Sequence, residues 1–99
     1  MRIGKTIQEI RKHKGISQME LCEETGITQA QISLIERGLS IPRQQTLNKI
    51  LDYIQVTEAE LLVMCINKND VSPEHRLLFT SLRDSLFRII NKYEAVEKK

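Results

Sequence analysis

Apolar residues recur at intervals of three and four along most of the chain, the spacing that gathers them on one face of an α-helix. Ile3, Ile7 and Ile10 form the first series, with polar residues between them and Gly15 behind, which predicts a helix over residues 3–14. One short pattern then occurs three times: Ile16-Ser17-Gln18-Met19-Glu20-Leu21, Ile27-Thr28-Gln29-Ala30-Gln31-Ile32 and Val56-Thr57-Glu58-Ala59-Glu60-Leu61. A hydroxyl residue followed three places later by Glu or Gln can satisfy free backbone N–H groups reciprocally at a helix start. The apolar residues on either side of that box staple the incoming chain to the first turn. Helices therefore begin at 18, 29 and 58, and Gly26 and Gly38 end the first two near 25 and 37. Leu47, Ile50, Leu51 and Ile54 mark a fourth helix, the fifth reaches about 66, and Ser72-Pro73-Glu74 starts a last one over residues 73–96. Residues 67–72 read as a polar linker, and no segment alternates as a strand would.

The second and third helices are too short to be stable alone, so neighbours must cover their apolar residues. Their brevity serves geometry. A tight turn at Gly26 makes one helix cross the other steeply, so that one protrudes while the other braces it, the layout of a helix-turn-helix. In such a unit the protruding helix enters the major groove of DNA. With Ile32 and Ile35 turned inward, Gln29, Ala30, Ser33, Leu34 and Arg37 lie on or beside the outer face.

Gln18, Leu21, Cys22, Gly26, Ile27, Ile32 and Ile35 have the spacing of a known motif. Ile3-Gly4, Ile7, Arg11, Gly15, the run Ile32-Ser33-Leu34-Ile35-Glu36-Arg37-Gly38, Pro42, Thr46, Leu47, Ile50 and Ile54 extend the match. Over residues 1–66 the chain resembles the lambdoid phage repressors, Cro proteins and their Xre-type relatives. The resemblance implies an all-α fold: a five-helix lambda-repressor-like bundle containing the helix-turn-helix, here followed by a long amphipathic helix. It implies a double-stranded DNA partner, with Gln29 at a base-contacting position and the loop after the third helix clamping the DNA backbone. Base reading then falls to Gln29, Ala30, Ser33 and Leu34, and phosphate binding to Gln18, Arg37, Ser40 and Arg43. A glutamine amide matches the N7 and N6–H pair of adenine. Ala30 and Leu34 depart from the commoner polar residues and offer hydrocarbon, to a thymine methyl or, for Leu34, to a protein partner. The family also pairs the positions of Arg11 and Glu36, which makes them a structural ion pair. Cys22 stands where a smaller residue is usual, and Gln55 where glycine is usual, so the turn before the fifth helix departs from the family pattern.

Composition changes this picture little. The chain has 99 residues, 40% of them hydrophobic, with two Tyr, two Phe and no Trp, so one domain, or one small domain plus an appendage, with an aliphatic core is expected. Net charge gives no argument for a polyanion, because the formal total is only +2. Cys22 and Cys65 lie far apart, without histidines at metal-ligand spacing, and read as reduced core residues of a cytoplasmic protein. His13 and His75 are isolated, and neither a nucleophilic triad nor a glycine-rich phosphate loop occurs, so an enzyme, a metal or a cofactor is not expected. No apolar run approaches the ~18 residues of a membrane span.

The carboxy-terminal segment, residues 73–99, carries Phe79, Leu82, Leu86, Ile89, Tyr93 and Val96 in heptad steps, with Leu78, Phe87 and Ile90 widening the surface. A helix with so much hydrocarbon needs a cover. It either folds back on the first and fifth helices or joins a second copy. The latter gives Phe79, Leu82, Leu86, Ile89 and Tyr93 to a homodimer whose two reading helices would match two half-sites. The function expected is a sequence-specific transcriptional repressor. The alternative is an antitoxin or interaction module that holds a protein partner through the last helix or the Leu34 face.

Overall fold

The computed structural model describes the backbone of residues 2–97 and the side-chain surroundings of residues 2–89. Three hydroxyl caps set its frame. Ser17 Oγ accepts the Glu20 N–H at 2.9 Å, Thr28 Oγ1 that of Gln31 at 3.2 Å and Thr57 Oγ1 that of Glu60 at 3.1 Å. The return arm of the box forms at Thr57, whose N–H donates to Glu60 Oε1 at 2.9 Å. At Ser17 the Glu20 carboxylate is diverted: it accepts from the Tyr53 hydroxyl and so ties the second helix to the fourth.

From these starts run α1 (Ile3–His13), α2 (Gln18–Thr25), α3 (Gln29–Glu36), α4 (Gln44–Ile54) and α5 (Glu58–Cys65). Among the described residues there is no strand. α1 packs on α3 and α5, and α2 on α3 and α4. Ile7, Ile10, Leu21, Ile32, Ile35, Ile50, Ile54, Leu61 and Met64 form the aliphatic centre. The staple residues Ile16, Ile27 and Val56 are buried beside it.

Two backbone positions control how these helices meet. Gly4 lies where α1 crosses the end of α3, and a Cβ there would stand 1.7 Å from the Ile35 carbonyl oxygen. The helices could not approach so closely with any other residue. Gln55 keeps the left-handed conformation usual for glycine, with φ 58°, and its N–H reaches the Leu51 carbonyl. The turn before α5 is thus left-handed at a glutamine, at a conformational cost.

The segment after α5 is more ordered than a polar linker. Lys68–Asp70 forms a 3-10 turn capped reciprocally by Asn67 and Asp70, and Arg76 Nε donates to the carbonyls of Lys68 at 3.0 Å and Val71 at 3.2 Å. The expected helix start at Pro73 is a second 3-10 turn, Pro73–His75. Ser72 Oγ bonds to His75 Nδ1 at 2.8 Å instead of capping the backbone. The α-helix proper, α6, runs from Arg76 to Glu97.

One stripe of α6 folds back. Arg83 donates to the Met64 carbonyl at 3.3 Å, approaches Glu9 at 3.5 Å and lies 5.1 Å from the centre of the Phe87 ring. Phe87 meets the His13 ring at 5.4 Å, and Leu86 and Phe87 pack against the core. Leu77, Leu78, Leu82 and Ile89 remain exposed. Among the described residues no helix is long and apolar enough to cross a membrane.

Gly4→Ala and Gln55→Gly should shift stability in opposite directions. The first forces α1 from α3 and should cost about 1–3 kcal/mol; the second removes left-handed strain and should gain about 1 kcal/mol. Urea denaturation followed by circular dichroism measures both, and an unchanged midpoint for Gly4→Ala would contradict the close crossing.

Candidate nucleic-acid interface

The exit from α2 is built by Gly26 and Thr25. Gly26 adopts φ 75° and its N–H closes on the Cys22 carbonyl at 2.9 Å. Thr25 Oγ1 donates to Leu21 O at 2.6 Å and accepts from the Ile27 N–H at 3.3 Å. The chain therefore turns within two residues, buries Ile27, and starts α3 at once. At the far end Gly38, φ 76°, closes a Schellman motif: its N–H reaches Ile35 O at 3.0 Å and that of Leu39 reaches Leu34 O at 2.9 Å.

A buried ion pair fixes α3 against α1. Arg11 Nε donates to Glu36 Oε2 at 2.8 Å and Nη2 to Oε1 at 2.9 Å, with the two side chains 8% and 1% exposed. This fork-to-fork geometry is the strong form of a charged hydrogen bond. Arg11 Nη1 also donates to the Ile16 carbonyl at 2.9 Å, so one guanidinium joins α1, the approach to α2 and α3. The last-turn carboxylate that opposes the dipole of α3 is thereby compensated inside the protein.

The pair continues to the surface. Gln18 Nε2 donates to Glu36 Oε1 at 3.1 Å, and Gln18 Oε1 accepts from Gln29 Nε2 at 3.4 Å. A carboxylate only accepts, so it fixes which end of the Gln18 amide faces inward. The Gln18 oxygen then fixes Gln29, leaving Gln29 one N–H and its carbonyl oxygen directed elsewhere. Gln18, singled out in the sequence only as a phosphate ligand, is therefore also the brace of Gln29. No sequence signal marks this link, because the partners lie 18 and 11 residues apart.

The other candidates fall around this point. Gln29, Ala30, Leu34 and Arg37 are exposed and Ser33 is half-buried. At about 100° per residue, Ala30, Leu34 and Arg37 occupy the outermost strip of α3, with Gln29 and Ser33 on its α2 flank. Ser40 is half-buried and Arg43 exposed on the loop beyond. From Gln29 to Arg43 the charged residues are Glu36, Arg37 and Arg43. With Glu36 neutralised inside, the exposed charge of this stretch is entirely positive, and the small net charge of the chain hides a cationic rim.

The five candidates on α6 separate. Leu82 and Ile89 are exposed, whereas Phe79 and Leu86 are half-buried. Phe79 lines a small cavity of about 210 Å³ with Thr6, Met64 and Cys65. The side chain of Tyr93 lies outside the described residues. Leu78, not singled out for this role, joins the exposed strip, and Leu77 is exposed on another side of α6. Cys22 and Cys65 are free and buried, and burial pushes both thiols above their ordinary pKa, which disfavours the reactive thiolate. Among the described residues no His, Cys, Asp and Glu group could hold a metal.

The two short helices joined at Gly26, the bracing Arg11–Glu36 pair and the exposed face of α3 define a helix-turn-helix protein. The model of the helix-turn-helix family matches residues 7–61, and the chain belongs to that family in its Xre, lambda-repressor-like form. It is 39% identical over 61 residues to the HTH-type transcriptional regulator SinR of Bacillus subtilis (strain 168), and equally to that of Bacillus licheniformis. The aligned stretch takes in 61% of this chain and 55% of each relative, so the chain spans about half the length of the curated relatives it matches. No solved structure gives a significant match.

Glu36→Ala leaves the Arg11 guanidinium buried without its carboxylate and should cost about 3–5 kcal/mol. Replacing both, as Arg11→Met with Glu36→Leu, should recover much of that loss. Thermal and urea unfolding of the three proteins measure this; a double variant no better than Glu36→Ala would show that packing, not the stranded charge, sets the cost.

Proposed function

We propose that the chain is a DNA-binding transcriptional regulator, a repressor acting in the cytoplasm, that presents α3 to the major groove of double-stranded DNA as a homodimer. The observation that carries this reading is the braced Gln29 beside an outer strip free of exposed acid. Its remaining N–H and its carbonyl oxygen suit the N7 acceptor and N6–H donor of adenine. Ala30, Ser33 and Leu34 complete the base-reading set. Gln18, at the first position of α2 where free N–H groups favour an anion, joins Arg37, Ser40 and Arg43 on the phosphates. The names of the Bacillus relatives agree with regulation of transcription.

The exposed strip Leu78, Leu82 and Ile89 supports the dimer. These residues share one face of α6, on the order of 100° around the helix from the stripe packed on the body. A second copy laid along it would align two reading helices with half-sites about 34 Å apart. Residues 1–66 would then be the reading unit, 67–72 its connection and 73–99 the dimerisation element. The same strip favours a second reading, an antitoxin or interaction module that holds a different protein.

Selection of fragments from random DNA should yield an inverted repeat, with binding to it falling log-linearly with salt. Gln29→Ala should then bring specific and nonspecific affinities together, losing about 1–3 kcal/mol of discrimination. Arg43→Ala should weaken all sequences alike and flatten the salt slope by about one. Equal losses on both kinds of DNA for Gln29→Ala would remove it as a reader.

Sedimentation of the full chain at micromolar concentration should give a dimer, and Leu82→Glu with Ile89→Glu a folded monomer. A wild-type monomer would favour the heterologous partner.

A further inference from the structure

We infer that Ala30 and Leu34 form a reader of the pyrimidine C5 methyl group, which accepts thymine and 5-methylcytosine alike and disfavours uracil and cytosine. The inference rests on the proposal that α3 enters the major groove. Ala30 and Leu34 are one helical turn apart and therefore neighbours on the outermost strip, and both are exposed. Ala30 is short enough for a base edge to come close to the helix, while Leu34 projects beyond it. Together they offer the DNA a hydrocarbon notch with no donor or acceptor.

The competing explanation for Leu34 is local. In a Schellman motif the residue after the left-handed glycine often packs on the third residue from the helix end, which here would set Leu39 on Leu34. Any such contact leaves much of both side chains uncovered, because Leu34 stays 40% exposed and Leu39 63%. Hydrocarbon at this point of a reading helix has one complementary group in the major groove, the thymine methyl.

The consequence follows from what leucine cannot detect. Thymine and cytosine differ in the major groove by the O4 acceptor against the N4 donor, and by the methyl group. A polar side chain would sort them by hydrogen bonding, whereas Leu34 responds only to whether a methyl is present to be buried. Cytosine methylated at C5 restores that methyl, so the same contact is regained on a different base pair.

The test uses the full chain and a duplex selected from random DNA. Each thymine of one half-site is replaced in turn by uracil, which deletes the methyl and leaves every hydrogen-bonding group. At one position the affinity should fall about three- to fivefold, the scale of one buried methyl. Cytosine and 5-methylcytosine, paired with guanine, are then placed at that position, and the methylated form should bind more tightly by the same factor. Leu34→Ala should abolish both differences, and Leu34→Met should keep them. A uracil scan without effect, or thymine-to-uracil and methylcytosine-to-cytosine ratios that survive in Leu34→Ala, would overturn the methyl reader. A lower melting temperature for Leu34→Ala with both ratios unchanged would assign Leu34 to the Leu39 contact instead. These outcomes leave DNA binding intact, whereas failure to select any duplex would overturn the DNA reading itself.

Discussion

The Arg11–Glu36 pair is the constraint on which the geometry of the interface depends. A guanidinium and a carboxylate removed from water lose hydration that only close, bidentate contact restores. They therefore tolerate one arrangement of their helices, and that arrangement sets the end of α3 against α1. The third bond of Arg11, to the Ile16 carbonyl, includes the start of α2 in the same demand. The absent side chain at Gly4 permits the approach, since any Cβ would strike the Ile35 carbonyl one residue before Glu36. Electrostatics thus requires the crossing and sterics allows it.

The same pair also determines charge and polarity at the surface. Were Glu36 exposed, it would face the phosphates that Arg37 and Arg43 are proposed to meet. Buried and paired, it contributes nothing to the outer field and instead orders Gln18 and, through it, Gln29. An amide has two nearly isosteric orientations, and an unbraced glutamine can offer either. Attachment to a carboxylate selects one, which reduces the freedom Gln29 has to lose on meeting a base. Net charge was uninformative for this reason: a sum over the chain does not see where a carboxylate points.

The sequence made the helices legible because caps and staples are local. Ser17, Thr28 and Thr57 act on residues three positions away, and left-handed glycines act on their own turns. Conformation at Gln55 was harder, since the family's glycine pattern marks the turn while the glutamine obscures it. What could not be read was whatever depends on partners distant in sequence. Glu20 fits a reciprocal box by its spacing, yet Tyr53 claims its carboxylate from 33 residues away. Gln18 fits a helix N-terminus, yet two residues of α3, Glu36 and Gln29, hold its amide. Residues 67–72 look like a solvated connection by composition, and Arg76 orders them through backbone carbonyls that no side-chain pattern reveals.

The last helix shows why periodicity alone could not choose between folding back and pairing. Heptad steps count apolar positions but do not say which neighbour covers each one. Phe79, Leu86 and Phe87 turn to the body, whereas Leu78, Leu82 and Ile89 turn away, so the two options concern different faces of one rod and do not compete. The inward stripe fixes how α6 leaves the bundle, and Arg83 strengthens that hold through Met64 and Glu9. A partner helix on the outward strip would therefore meet a face of α6 whose inward stripe is already held by the bundle. Association of two copies would have to offset the lost freedom of two bodies, and under the proposed function a duplex with two half-sites would supply part of that by holding both copies at high effective concentration. If two copies pair along the outward strip on the proposed two-fold operator, whatever strengthens that contact strengthens assembly of two free monomers on the operator by the same free energy.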